Sequence, residues 1–292
     1  MKFAAIDIGT NAARLLVGEL ITTSHGLQIQ KHGYYRSPLR LGEDVFKKGK
    51  IGAVKIKQFV QTMQAFQLLA TAHDVKAIRV VATSAMREAD NSRKVVKEVL
   101  QQTGLQIEVI SGEEEAQLIF NAFELLHLGK KAQYIVVDVG GGSTEISVFE
   151  EGKRRASQSF ELGTLRLLNK KIAPYIWQDL NSWIQNHAKV EEAHIVFGTG
   201  GNINRALKML PSKKATISLK DLQHLLQQLQ ALSMTERMEQ FQLKADRADV
   251  IVPALEIYIA ALTALEQKQI TVPKIGLADG ILLELYLKHT LL

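Results

Sequence analysis

The chain has 292 residues, of which 46% are hydrophobic, so it can bury a large core, and two domains are expected. It contains no cysteine, which excludes disulfide bonds and thiolate metal sites. The net charge of +6 favours an acidic partner without identifying it.

The sequence shows no signal for export or membrane insertion. The N-terminus begins with a strand-like segment and lacks a basic region followed by an apolar one. The longest apolar run, residues 250–264, contains Pro253 and Glu256 and is typical of a buried helix. The basic clusters have no interleaved aromatic residues, which favours solvated faces. We therefore expect a soluble cytoplasmic protein without a membrane or nucleic-acid partner, and a homodimer is left open.

The first predicted hairpin lies at the N-terminus. An apolar strand, residues 3–6, leads into Asp7, which is followed by Gly9, Thr10 and Asn11. A strand-like segment, residues 14–20, comes next. A glycine at such a turn lets the backbone approach a ligand closely, and a hydroxyl group suits phosphate oxygens.

The next segments alternate between strands and helices. A strand at residues 27–33, a polar loop at 34–52, an amphipathic helix at 53–73 and a strand at 75–81 are predicted. Ser84 is expected to cap a short helix, which places Arg87 near the C-terminal edge of the sheet. Arg87 is there either a structural ion-pair residue or a phosphate clamp.

Three adjacent carboxylates open the following helix. Ser111 and Glu114 fit a capping box, and acidic residues suit a helix N-terminus, so Glu113 and Glu114 need no functional role. Glu115 instead shares a helix face with Leu118 and is expected to be partly buried. It is either a residue of the buried stripe or a general base.

The best-marked segment is a second hairpin at residues 134–149. The apolar residues 134–137 predict a buried strand that ends at Asp138. The turn after it contains three glycines and two hydroxyl residues: Gly140, Gly141, Gly142, Ser143 and Thr144. Residues 145–149 alternate and predict the return strand. Taken alone, this pattern is as typical of an ordinary glycine hairpin, whose turn an aspartate initiates, as it is of a ligand-binding turn.

The pattern occurs twice, which changes its interpretation. Asp7 and Asp138 occupy equivalent points of two repeats. A third loop, residues 197–202, follows the apolar residues 193–197 and precedes a helical stretch. Two facing hairpins, each with a carboxylate and a donor-rich loop, predict a site for a polyanion and its divalent cation.

The second half adds no further chemistry. Helices are predicted at 219–231 and 247–265, a strand at 270–272 and a closing helix at 276–291. Arg166 lies in a helical segment beside the second hairpin, where a surface ion pair is the favoured role. The eight histidines show no ligand spacing.

Six segments, taken in order, resemble one known family. They are Ala-Ile-Asp-Ile-Gly-Thr-Asn (5–11), Ala-Thr-Ser-Ala-Met-Arg-Glu-Ala (82–89), Ile-Ser-Gly-Glu-Glu-Glu-Ala (110–116), Val-Asp-Val-Gly-Gly-Gly-Ser-Thr-Glu (137–145), Gly-Thr-Gly-Gly (198–201) and Ala-Asp-Arg-Ala-Asp-Val-Ile-Val-Pro (245–253). This series resembles the Ppx/GppA phosphatases, which are exopolyphosphatases and guanosine pentaphosphate phosphohydrolases. The resemblance implies an α/β fold of duplicated ribonuclease-H-like (actin-like) domains with a ligand cleft between them. We place the domains at 1–124 and 125–292. The closing helix can fold back and pack on the first domain.

The resemblance also implies roles for single residues. Glu115 matches the catalytic base, and Asp138 and Glu145 match carboxylates of magnesium binding and catalysis, with Asp7 as a further magnesium candidate. Arg87 matches an arginine that contacts the phosphate chain. The residues matching phosphate-binding loops are Asp7, Gly9, Thr10, Asn11, Gly140, Gly141, Gly142, Ser143, Thr144, Gly198, Thr199, Gly200 and Gly201.

The chain departs from the family pattern at three points. Ala12 stands where many members have serine, and Ala278 stands where many have arginine. The chain stops at Leu292 and resembles the short, two-domain form. These departures put the strength of one phosphate contact and processivity on long polyphosphate in question.

The predicted function is a magnesium-dependent release of terminal orthophosphate from inorganic polyphosphate or guanosine pentaphosphate. Glu115 would activate the attacking water. Two alternatives remain open: a non-catalytic sensor of polyphosphate or guanosine tetraphosphate, and an ATP-dependent small-molecule kinase of the same superfold. A P-loop nucleotidase is excluded because its motif is absent.

Overall fold

The computed structural model describes residues 1–24, 26–128, 133–188, 195–211 and 214–290. The chain forms two compact units. The first consists of Met1–Leu128 and Ile275–Leu292, and the second of Gly129–Lys274. The closing helix thus belongs to the first unit. Residues 193 and 194 of the apolar segment predicted before the third loop, and residue 291 of the predicted closing helix, lie outside the described part.

The strands and helices alternate along the chain. The described strands are β1 (Lys2–Ile8), β2 (Ala13–Thr23), β3 (Gly26–Ser37), β4 (Ala77–Ala82), β5 (Ile107–Val109), β6 (Tyr134–Val139), β7 (Thr144–Glu150), β8 (Lys153–Phe160), β9 (Ile195–Thr199), β10 (Thr216–Ser218) and β11 (Gln269–Thr271). The described helices are α1 (Leu41–Lys48), α2 (Ala53–Ala72), α3 (Ser84–Glu88), α4 (Ser92–Thr103), α5 (Gly112–Phe123), α6 (Thr164–Leu168), α7 (Ile176–His187), α8 (Gly201–Met209), α9 (Leu219–Gln230), α10 (Met234–Gln240), α11 (Ala245–Ala248), α12 (Ile251–Ala264) and α13 (Leu277–Thr290). A 3-10 turn, Glu124–Leu126, follows α5.

The two sheets share one topology. The first unit has the strand order β3-β2-β1-β4-β5, and the second has β8-β7-β6-β9-β11 with β10 as an additional edge. In both units the two hairpins are antiparallel. The next two strands of the shared order pair in parallel, β4 and β5 in the first unit and β9 and β11 in the second. The additional strand β10 pairs antiparallel with β11. Strand β1 therefore corresponds to β6 and β2 to β7. This agreement establishes the predicted duplication at the level of the backbone.

The core of each sheet follows from its sequence. Residues 3–6 and 135–137 are almost completely buried because parallel partners and helices cover these central strands. In the second unit, Ile135, Val137 and Ile146 join one apolar cluster with helix α12. This packing fixes the strand ends that carry Asp7 and Asp138.

Residues 34–52, which the sequence predicts to be a loop, contain the end of a strand and a helix in the structure. Strand β3 continues to Ser37, and α1 occupies Leu41–Lys48. Helix α1 buries Leu41 and Val45, one turn apart, and Gly49 ends it in a left-handed conformation. The loop prediction was wrong because eight residues carry too little periodicity to outweigh the surrounding polar residues.

The C-terminal helix packs closely against the first unit. It contacts α5, β1 and β2, and a Cβ atom added at Gly280 would lie 1.8 Å from the carbonyl oxygen of Leu118 in α5. Its first turn is fixed by Asp279, which accepts a hydrogen bond from the Gly276 N–H (3.0 Å) and pairs with Lys31 (2.6 Å). Burial raises the pKa of Asp279, and Lys31 opposes this rise.

Within the described residues, no helix is both long and apolar enough to cross a membrane.

Replacing Gly280 by alanine is expected to destabilise the protein by about 1–3 kcal/mol, because the new methyl group displaces α13 from the backbone of α5. In a helix without this contact, the same change stabilises by about 0.5–1 kcal/mol. Gly276→Ala is the control, since nothing lies within 4 Å of its Cβ position. Urea unfolding of both variants measures the difference, and equal stabilities would show that the close approach is not needed.

Candidate active site

The first turn joins β1 to β2. The N–H of Gly9 donates to the carbonyl of Ala12 (3.1 Å), which closes the turn. The carbonyl of Thr10 accepts from the N–H of Gly42 (3.1 Å) in α1. Thr10 and Asn11, both predicted phosphate-binding residues, are buried. Helix α1, which the sequence analysis missed, therefore holds the first turn in place.

The second turn joins β6 to β7 in the same way. The N–H of Gly140 donates to the carbonyl of Ser143 (2.9 Å). The carbonyls of Gly140 and Gly141 accept from backbone N–H groups at the start of α6, at 3.1 and 2.8 Å. In the described part of the chain, the N–H groups of Gly141, Gly142 and Ser143 have no main-chain acceptor. Three successive N–H groups of this kind are suited to binding an anion.

Helix α6 and the residue before it support the second turn. A Cβ atom at Gly163 would lie 2.4 Å from the backbone of Gly142, so only glycine permits this approach. The hydroxyl group of Thr144 donates to the Leu162 carbonyl. Arg166 is buried and its Nε donates to the Gly142 carbonyl (2.9 Å). The predicted surface role of Arg166 was therefore wrong: its main contact is with the turn, and Glu161 lies farther away at 3.6 Å.

Polar residues form one row across the second sheet. Asp138 is paired in register with Glu145 on β7 and with Thr199 on β9, and Glu145 with Ser159 on β8. Paired residues of adjacent strands point to the same face of a sheet. Glu145 is buried and accepts a hydrogen bond from Ser159 Oγ (2.8 Å). The structure thus brings the two predicted magnesium carboxylates side by side.

The third loop lies against Asp138. Gly200 has φ of 101°, and a Cβ atom there would be 3.0 Å from Asp138 Oδ1. Gly198 packs against Ile270, so its role is in packing. Gly201 begins α8 and lies under the guanidinium of Arg247, which donates to Asn202 Oδ1 (3.0 Å). Of this loop, Thr199 and Gly200 lie nearest the carboxylates.

Tyr258 of α12 joins two strand ends of the second unit. Its completely buried hydroxyl group donates to the Thr199 carbonyl and accepts from the Val139 N–H (3.4 Å). Burial raises the pKa of Tyr258 well above its usual value, and the charge of Asp138 adds to this rise. The hydroxyl group therefore stays protonated and serves as a fixed donor.

In the first unit, Asp7 occupies the place of Asp138 but has a different partner. Asp7 is paired in register with Arg14, and Arg14 Nη1 lies 2.6 Å from Asp7 Oδ2. Its carboxylate is therefore already engaged by a cation.

Arg87 and Glu115 lie together in the same unit. Arg87 Nη1 donates to Glu115 Oε2 (3.1 Å) and to the Ile110 carbonyl (2.9 Å). Glu115 is buried, as its helical position predicted. The contact with Arg87 orients the Glu115 carboxylate. The structure places both residues at the carboxyl-terminal edge of the sheet, next to the end of β5.

Three site residues were missed or undervalued from the sequence: Tyr258, Arg166 and Arg247. Tyr258 lies within an apolar helix and gave no local signal. Arg247 belongs to a segment that resembles the family, but no role was assigned to it. Both act on loops more than 40 positions away in the sequence.

The carboxylates fit magnesium but do not enclose it. No group of three or more His, Cys, Asp or Glu side chains in the described ranges is arranged to hold a metal ion. Magnesium is commonly held by one or two carboxylates together with substrate phosphates and water. Asp138 and Glu145, next to a turn that can bind phosphate, match that requirement.

The fold defines an α/β protein of the actin-like class, and its second turn presents N–H groups suited to binding an anion. A model of the Ppx/GppA phosphatase family matches residues 21–180 and 177–289. The chain belongs to the Ppx/GppA phosphatase family. This match confirms the resemblance found in the sequence and the prediction of an enzyme.

Individual relatives are similar over the whole chain. Exopolyphosphatase 1 of Mycobacterium tuberculosis is 24% identical over 97% of this chain and 88% of its own length. The solved structure of an exopolyphosphatase from Cytophaga hutchinsonii has a TM-score of 0.82 at 22% identity, covering 99% of this chain and 97% of that one. The Aquifex aeolicus member of the Ppx/GppA family has a TM-score of 0.78 at 23% identity, covering 99% of both chains. These similarities confirm the predicted fold class.

Replacing Tyr258 by phenylalanine is expected to destabilise the second unit by about 1–3 kcal/mol, because the buried Thr199 carbonyl loses its donor. Tyr175→Phe, at an exposed tyrosine, is the control. Thermal unfolding compares the two variants. A Tyr258→Phe protein as stable as the control would show that the hydroxyl group does not support the strand ends.

Proposed function

We propose that the protein is a magnesium-dependent phosphohydrolase that releases terminal orthophosphate from inorganic polyphosphate. The observation that carries this proposal is the paired carboxylates Asp138 and Glu145 beside a turn with three available N–H groups, in a chain of a phosphatase family. The bond broken is a phosphoric anhydride. The exopolyphosphatases among the relatives favour polyphosphate. Guanosine pentaphosphate ends in the same type of bond and is the second substrate to test.

The turns and arginines supply the binding of phosphate. The N–H groups of the second turn are donors of fixed orientation, because α6 holds its carbonyls from the other side. Donors that are already oriented need no reorganisation when charge develops on the transferring phosphoryl group. Arg87 adds a bidentate donor group of the kind that phosphate oxygens prefer. Each of these groups is suited to binding the oxygens of a condensed phosphate.

Asp138 and Glu145 are the proposed ligands of magnesium. Ser159 fixes the orientation of Glu145, and Gly200 leaves room against Asp138. When bound, the ion neutralises charge on the phosphate oxygens that it contacts. The structure shows no other pair of site carboxylates in register in the described part of the second unit.

Glu115 is the proposed general base. Water attacks the terminal phosphorus in line with the bridging oxygen, a new P–O bond forms, and the bond to the bridging oxygen breaks. The proton of the water passes to Glu115, and the shortened chain leaves with the electron pair. Arg87 keeps the Glu115 side chain in one orientation through their 3.1 Å contact. No covalent intermediate is needed.

Replacing Glu115 by glutamine is expected to lower phosphate release by about 100- to 10,000-fold, because the base is removed while the shape is kept. Glu113→Gln is a matched control on the exposed side of the same helical turn. Release would be measured from short polyphosphate, long polyphosphate and guanosine pentaphosphate, with and without magnesium. A folded wild-type protein that binds these compounds but releases no phosphate would contradict catalysis and support a sensor.

Replacing Asp138 by asparagine is expected to raise the magnesium concentration for half-maximal activity by about tenfold or more, because one ligand charge is lost. Glu150→Gln is the control, since Glu150 lies on the same strand as Glu145 but pairs with Arg155 on the surface. An unchanged magnesium dependence in Asp138→Asn would rule out Asp138 as a ligand.

A further inference from the structure

Helix α2 of the first unit is apolar on two opposite faces. Its buried face packs into the unit with side chains such as Ile56, Phe59 and Met63. On the other side, Val54 is 73% exposed and Leu68 is 71% exposed, the highest values among the large hydrophobic residues of the described chain. Single exposed hydrophobic residues are ordinary, but these two belong to one stripe of the same helix.

The α2 stripe consists of exposed residues at alternating intervals of four and three positions. They are Val54, Gln58, Gln61, Ala65, Leu68 and Ala72. With 3.6 residues per turn, all of them lie on the side of the helix opposite the buried Met63. This spacing is typical of a coiled-coil seam, which is narrower than the face by which a helix packs on a globular core. Helix α2 thus carries the pattern of a helix–helix contact on a face that its own unit leaves exposed.

The α2 stripe also lacks the charges that solvent-exposed helix faces carry. Residues 58–73 contain no aspartate, glutamate, lysine or arginine. The neighbouring helix α4, against which α2 packs, exposes Arg93, Lys94 and Lys97. Depletion of charged residues is the compositional mark of the central part of a protein–protein interface. The stripe therefore has the composition of a surface that a partner covers.

A second copy of α2 fits this stripe when the two helices run antiparallel. With a two-fold axis level with Met63, the residues of the two copies that face one another are Val54 and Ala72, Gln58 and Leu68, and Gln61 and Ala65. Two of these three pairs set a longer side chain against an alanine, which allows the helix axes to approach closely. The stripe is therefore complementary to itself in shape.

The charges at the ends of α2 favour the same orientation. Lys57 is exposed near the N-terminal end, on the flank of the stripe, and Asp74 is exposed just past the C-terminal end. Antiparallel helices bring Asp74 of one copy to the end of the other copy that carries Lys57. Lys57 also comes near the partial negative charge of the last helical turn of the second copy. Parallel helices would instead set the two Lys57 side chains against each other.

We infer that the α2 stripe is a dimerisation surface, on which a second copy of this chain binds in antiparallel orientation about a two-fold axis. The inference gives a location to the homodimer that the sequence left open, and it does not depend on the proposed function. The two glutamines make the dimer reversible, because polar residues in a seam fix the register at a cost in stability.

Sedimentation equilibrium of the full chain tests the surface over protein concentrations from about 1 to 300 μM, where mass action shifts a reversible dimer. The wild-type protein is expected to change from monomer to dimer. Leu68→Glu should raise the dissociation constant by about tenfold or more, because the two-fold axis places the added charge in the seam twice. Leu287→Glu, at an exposed leucine of α13, is the matched control. A wild-type protein that stays monomeric, or a Leu68→Glu dimer as stable as the control, would overturn the inference.

Exchange of charges tests the orientation. Lys57→Glu and Asp74→Lys should each weaken the dimer severalfold, because each change sets like charges near one another at both ends of the helix pair. The double variant carries the exchanged pair in both copies and should recover the wild-type dissociation constant. A double variant as weak as the sum of the two single changes would argue against the antiparallel arrangement.

Introduced thiols test the register directly, because the chain has no cysteine of its own. A mixture of Gln61→Cys and Ala65→Cys chains should form a mixed disulfide on oxidation, since these two positions face one another. Val54→Cys alone should remain unlinked, because the two copies of residue 54 lie about 27 Å apart along the helix axis. Linking of Val54→Cys as fast as that of the mixed pair would show parallel helices and contradict the inference.

Discussion

The hydrogen bond that closes each hairpin turn is the contact on which the rest of the site depends. Gly9 donates to Ala12 in the first unit, and Gly140 donates to Ser143 in the second. In both turns, a following helix binds carbonyl groups from one side. In the second turn this leaves a run of N–H groups for a ligand, since backbone groups that are not paired internally need another partner. The same backbone closure therefore occurs twice, and in the second turn it leaves N–H groups that are suited to binding an anion.

The side chains then distinguish the two copies. Strand register places one residue of the return strand directly beside each aspartate, and that residue is Arg14 in one unit and Glu145 in the other. Two carboxylates side by side repel each other unless a cation lies between them, whereas a carboxylate beside an arginine is neutralised internally. The same backbone therefore carries different charges in its two copies, and the residue at this cross-strand position makes the difference.

Support for the site comes from elements remote in the sequence. Tyr258 connects the ends of β6 and β9, and Arg166 connects α6 to the glycine turn. Both groups are buried, and the loss of a hydrogen-bond partner destabilises the fold more at a buried polar group than at an exposed one. The site therefore depends on helices α6 and α12 as much as on the strands that carry its functional groups. The close contact of Gly280 with α5 has the same effect in the first unit, where α5 carries Glu115.

The sequence alone determined the two hairpins, their aspartates and glycines, and the buried position of Glu115, because these features follow from local spacing and backbone freedom. It missed α1 and the role of Tyr258, since an eight-residue helix and one tyrosine in an apolar stretch give weak local signals. Only the tertiary structure decided the partners of each charge: Arg14 for Asp7, Glu145 for Asp138, and Arg87 for Glu115. The physical reason is that a charge acts through the groups within a few ångströms of it, and strand register and helix packing bring those groups together.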